Sequence, residues 1–229
     1  MTLSVMADRP DLATVVAPPA LRIAWSTVVP MEGMKLDPDW ADATRRSAEL
    51  LRGAGHTVVH ADPPYGRTIG VSELVRWTAG TELDARLLPD RSQLARRTSR
   101  HASIGRLALR AGLPRDKARR SWQERAERFF DSHDVLITPA LAGAPVEAAA
   151  WASRSWLANV WSNSQYAPFA APWNLAGWPA MSVPAGTDRH GQPVAVQLVA
   201  RTGGEGQLLS VAAQLEHLHP WSRVAPDFT

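Results

Sequence analysis

The sequence has 229 residues, 45% of them hydrophobic, with 25 Lys and Arg against 22 Asp and Glu and no Cys. That length buries a substantial core, and the absence of Cys excludes a disulfide framework, a thiolate nucleophile and a Cys-ligated zinc. No apolar run reaches the roughly 20 residues of a membrane span, and Met1 to Pro10 lack the basic-then-apolar order of a secretion signal, so a cytoplasmic location is the default expectation.

Residues 21–26 (LRIAWS) form a short apolar run suited to a buried strand. Asp37 then caps a helix with Pro38 in its first turn, where a missing N–H costs nothing. Trp40, Ala43, Ala48 and Leu51 share one face of it, and Gly53 with Gly55 supplies the stop. Residues 57–60 (TVVH) read as the next strand. Strand, helix, strand predicts a βαβ unit with parallel strands and a right-handed crossover.

From Val71 to about Arg128 the pattern is helical, broken near Pro89 and at residues 112–114. Between Arg86 and Arg128, twelve Arg and Lys117 stand against four acidic residues, a local charge of +9 that leaves −6 on the rest of the chain. Such a block suits an acidic partner or nucleic acid. However, residues 114–130 place Ala118, Trp122, Ala126 and Phe129 or Phe130 on one helical side, which turns the arginines toward water. A solvated face is the preferred reading, and nucleic-acid binding the lesser one.

Residues 134–139 (DVLITP) are a strand ended by proline. After a Pro- and Ala-rich connection come Trp151, Trp156, Trp161, Tyr166, Phe169, Trp173 and Trp178, more ring surface than a loop leaves in water. These rings face a core, a pocket or a missing partner. Residues 174–186 and 193–200 predict two strands joined through Gly186 and Gly191. Residues 205–216 close the chain as an amphipathic helix with Leu208, Leu209, Val211, Ala212 and Leu215 inward. No internal repeat and no linker divides residues 1–229 into two domains.

An independent active site is not visible in the residues. There is no H-E-x-x-H, no G-x-S-x-G, no Walker loop and no G-x-G-x-x-G. His217 and His219 are two apart, which puts them on different sides of a helix and argues against a shared metal.

Three ordered motifs carry a resemblance: Trp173-Asn174-Leu-Ala-Gly-Trp-Pro-Ala-Met-Ser-Val-Pro-Ala-Gly186, Gly191-Gln-Pro-Val-Ala-Val-Gln-Leu-Val199, and Glu205-Gly-Gln-Leu-Leu-Ser-Val-Ala-Ala-Gln-Leu-Glu216. Together they closely resemble the C-terminal part of the amidase signature family. The strand over residues 134–139 and the βαβ unit sit in that family's order, and residues 3–11 look like the stretch linking its two halves. The resemblance implies an α/β fold with a mixed central β-sheet flanked by α-helices, here as one partial domain. It implies hydrolysis of carboxamide C–N bonds by a Ser, cis-Ser, Lys triad, with no metal and no organic cofactor.

All of that triad belongs to the preceding half of the family's fold, and this chain has no Gly-Gly-Ser-Ser-like loop and no Ser-Ser pair. Lys35 and Lys117 are its only lysines, and neither has a neighbourhood that would lower its pKa for use as a base. The chain is therefore expected to be inactive alone, as a truncated frame, a split gene product or a fragment. A partner supplying the N-terminal half, and a small amide substrate once complemented, are the implied partners. By the same resemblance Trp161, Ser164, Tyr166 and Trp173 are candidate substrate-pocket residues, with Asn174 orienting the adjoining loop or bonding local backbone. The transamidating relatives carry an acidic residue before the Asn-Leu-Ala-Gly motif, whereas residues 162–171 hold none. The alternative is a non-catalytic binding module using the basic helices between Arg86 and Arg128.

Overall fold

Alternation along three strands decides the layering of this protein, whose computed structural model describes residues 9–222. The strands are β1 (Arg22–Trp25), β2 (Thr57–His60), β3 (Val135–Pro139), β4 (Ala180–Thr187) and β5 (Pro193–Val199), in the sheet order β2-β1-β3-β5-β4. β2, β1 and β3 run parallel, and β3, β5 and β4 antiparallel, so the sheet is mixed. Ile23, Val135, Ile137, Val196 and Leu198 point to one face, where they meet Trp40, Ala43 and Leu51 of α1 (Pro38–Gly53) and Leu208, Val211 and Leu215 of α7 (Glu205–Leu218). Ala24, Leu136 and Val199 point to the other. All five residues of β3 are buried, which is why its sequence is apolar on both faces rather than alternating.

The second face is covered by α2 (Ile69–Arg86), α4 (Asp116–Phe130) and the short α6 (Ala171–Ala176). Trp122 and Phe130 of α4 meet Trp173, and Trp178 stacks on Trp173 with ring centroids 6.1 Å apart. The Trp122 indole donates to the Pro172 carbonyl at 2.6 Å, fixing α6 to α4. Gly177 ends α6 in the left-handed conformation at φ 73°, a turn that brings the chain back into β4. At the hairpin end, Arg189 bonds Asp37 and Asp39, so the β4–β5 turn is tied to the cap of α1.

The expected βαβ unit and closing helix are present, and the three-helix region breaks at the two expected places; the hairpin is present too, but its first strand begins at Ala180 rather than at residue 174, because residues 171–176 pack as α6 and turn at Gly177. The stretch expected to link two halves lies partly outside the described residues. One expectation is corrected: the arginines do not all face water. Glu82 of α2 is 2% exposed and receives Arg86, Arg91 and Arg106. Arg91 reaches Oε2 at 2.7 Å, while the Nε atoms of Arg86 and Arg106 reach Oε1 at 3.1 and 3.3 Å. These bonds staple α2, α3 (Arg96–Arg110) and the loop between them. Arg125 likewise turns inward, donating to the Pro64 carbonyl and lying over the Trp122 ring.

Beside that cluster, α3 presents Ala102, Gly105 and Ala108 to α2, all three buried. The backbones approach so closely that a methyl at Gly105 would overlap the Thr78 carbonyl oxygen, whereas one at Gly80 would meet open space. Inside a helix, Gly→Ala normally stabilises by about 1 kcal/mol. Gly80→Ala is therefore expected to raise the melting temperature, and Gly105→Ala to destabilise by about 1–3 kcal/mol through overpacking. Urea denaturation of the two variants reads the difference in sign.

The Arg91 hydrogen bond, followed by those of Arg86 and Arg106, holds the Glu82 carboxyl down to about 2. A folded-state value below the unfolded one gives stability that is present above about pH 4.5 and is lost as pH falls toward 2. Glu82→Gln is expected to cost about 2 kcal/mol at pH 7 and to flatten the acid limb of the stability profile. Denaturation followed from pH 7 to pH 3 checks both.

Candidate functional site

The three parallel strands send their connections out at the same end of the sheet, and those connections build a cleft. The segment after β1 brings Met31, the helix after β2 brings Gly70, Glu73, Leu74 and Trp77, and the helices after β3 bring the opposite wall. That wall consists of Asn163 and Ser164 from α5 (Trp156–Tyr166) and Ala170, Ala171 and Asn174 from α6 and its approach. The volume is about 330 Å³, at the small end for a small-molecule site. Open α/β sheets place ligands beyond the carboxyl ends of their strands, and this cleft stands there.

Two of the five candidate pocket residues, Ser164 and Asn174, share this cleft. Asn174 is exposed and its side-chain amide makes no hydrogen bond, which corrects the expectation that it bonds local backbone. Ser164 is half-buried and its hydroxyl is also unengaged. Trp173 is 1% exposed and packs within the aromatic core, its neighbour in sequence facing the opposite way. Trp161 is 57% exposed and stands outside the lining of this cleft. Tyr166 lines a separate hollow with Arg97, Val146 and Trp151.

Glu73, Leu74, Trp77 and Met31 went unnoticed in the sequence. A signal existed for three of them. Gly70, Glu73, Leu74 and Trp77 fall at positions i, i+3, i+4 and i+7, one helical face interrupted by a single acid. Glu73 is half-buried, and burial pushes its carboxyl up from the ordinary value, with the charge of Arg76 opposing. Arg76 itself is held by Asp116 at 2.6 Å.

At the same end of the sheet Ser26, His60 and Asp62 lie together, but not as a nucleophile and its base. Ser26 Oγ donates to Asp62 at 2.7 Å, and His60 Nε2 stands 3.5 Å from the same carboxylate oxygen. The carboxylate sits between serine and imidazole, whereas a serine nucleophile needs the imidazole in the middle to take its proton. Ser26 is fully buried and its oxygen also accepts the Val28 amide, so the group fixes the turn after β1. Lys35 and Lys117 are both exposed. No group of three metal-ligating side chains occurs among the described residues, and no helix there is long and apolar enough to cross a membrane.

Comparison with known proteins agrees with the fold. The sequence profile described as Amidase matches residues 12–209. The Mycobacterium tuberculosis protein named "Putative amidase AmiA2" is 37% identical over 217 residues, covering 93% of this chain and 44% of that protein. The Mycobacterium bovis protein named "Putative amidase AmiC" is 31% identical, with 95% and 48% covered. Among solved structures, 6-aminohexanoate cyclic dimer hydrolase superposes with a TM-score of 0.72 at 26% identity, over 93% of this chain and 47% of that one. A bacterial aryl acylamidase of the amidase signature family, at 17% identity and a TM-score of 0.63, shares the fold over 93% of this chain and 46% of its own. The chain thus spans about half the length of the curated relatives it matches. With profile, relatives and fold in agreement over nearly all of its length, this chain belongs to the amidase family.

Proposed function

We propose that this chain forms the acyl-pocket side of an amidase hydrolysing carboxamide C–N bonds, and that the groups breaking the bond lie on polypeptide outside these 229 residues. The observation carrying this reading is the cleft at the carboxyl end of the sheet, with Ser164 and Asn174 unengaged on one wall and apolar surface between the walls. Membership of the amidase family over about half the length of its relatives supports it. So does β4, which pairs only with β5 and leaves its outer edge open among the described residues. A second half continuing the sheet at that edge would satisfy its backbone groups.

Amide hydrolysis needs a nucleophile, a base and oxyanion donors around one carbonyl. In this reading the cleft supplies none of these. The Asn174 amide and the Ser164 hydroxyl orient the substrate, while Leu74 and Trp77 exclude water from its acyl part. The second half brings the serines and the lysine. The alternative of a binding module built on the basic helices finds less support, because Arg86, Arg91 and Arg106 are committed to Glu82.

Purified chain is expected to release no ammonia above blank from butyramide or benzamide. Co-expression with the N-terminal half of a homologous amidase is expected to give a copurifying pair that does. Within the pair, Asn174→Ala should lower kcat/KM about tenfold without changing melting temperature, since it removes an exposed side chain with no partner. Turnover by the chain alone that a single substitution within it abolishes would overturn the proposal, as would failure of the two halves to associate.

A further inference from the structure

Helix α2 carries two buried or half-buried glutamates with opposite surroundings. Glu82 holds three guanidinium groups. Glu73, less than three turns away on the same helix, makes no hydrogen bond and no ion pair with the described residues. Its nearest influence, Arg76, is already engaged by Asp116 and acts on it only through space. An anion partly removed from water with no directly bonded counter-charge is unfavourable, and the distant Arg76 offsets that only in part.

The remainder of the lining limits what kind of cation fits. Among the described residues that line this cleft, Glu73 is the only charged one. Facing it, Asn163, Ser164 and Asn174 offer neutral donors and acceptors that suit a carboxamide. Leu74, Ala167, Ala170 and Ala171 add apolar surface to the same lining, which suits methylene groups. A molecule matching this lining carries an ammonium for Glu73, an amide for the neutral polar groups and a short apolar chain joining the two.

We propose that Glu73 is a specificity-determining residue that selects amides bearing a positively charged amino group on a short aliphatic chain. The inference rests on the reading of this cleft as the acyl pocket. The test uses the purified full chain at low ionic strength and two probes of equal length that differ by methyl against ammonium at the far end, hexanamide and 5-aminopentanamide. Binding is followed through the backbone amide resonances of Ala171 and Asn174. The amino amide is expected to bind about tenfold more tightly, a difference of ~1.4 kcal/mol. Glu73→Gln should bring the ratio of affinities to about one, and Glu73→Lys should favour the probe ending in a carboxylate, glutaramic acid. Equal binding of the two amides to the native chain overturns the role of Glu73 and leaves the acyl-pocket reading standing. Failure of both probes to shift Ala171 and Asn174 overturns that reading, and this inference with it.

Discussion

A strand covered on both sides has no polar face to give to water, and it must be enclosed before anything around it can settle. β3 is that strand. It bonds β1 in parallel and β5 in antiparallel sense, so it is also the seam where the two halves of the sheet meet. Its enclosure requires α1 and α7 on one side and the cluster of Trp122, Phe130, Trp173 and Trp178 on the other. Because β1, β2 and β3 run the same way, their following segments emerge together, and the cleft is the space those segments leave between them. Burial of the central strand and position of the site are one constraint seen at two scales.

The charge distribution has a similar double character. The excess of arginine between Arg86 and Arg128 is partly internal wiring, with Glu82 as its hub. Asp116 serves α4 in the same way, pairing with Arg76 across to α2 and with Arg120 one turn along. Exposed ion pairs of this kind contribute little each, but the Glu82 carboxylate is buried, and its half-exposed arginines join three separate chain segments. Against this background the isolation of Glu73 stands out as a choice of position, since the helix face it occupies is the one turned to the cleft.

Much of the architecture was legible because local rules and tertiary packing agree. Asp37 does cap α1, its side chain accepting the Asp39 amide, and Pro38 does follow it. Gly186 and Gly191 do take positive φ, at 101° and 77°, around the hairpin. The site was harder to read, for geometric reasons. Ser164 and Tyr166 are two apart on a helix, which places them on nearly opposite sides, and only Ser164 meets the cleft. Trp173 and Asn174 were named together from one motif, yet a single residue step of about 100° carries one into the core and the other to the surface. The hub at Glu82 joins residues from three segments, and no spacing rule announces a meeting of that kind.

The seam of small residues between α2 and α3 also governs how the cleft can respond to an occupant. Gly105 lets the two helical backbones touch at Thr78, and Glu82 rivets them a turn further on. The two helices are thereby joined at two successive turns, on the wall that bears Glu73. The facing side is anchored as well, since α6 has only six residues and is held by Trp122 and Gln123 of α4 at the Pro172 and Ala176 carbonyls, so both walls present a preformed shape to an occupant.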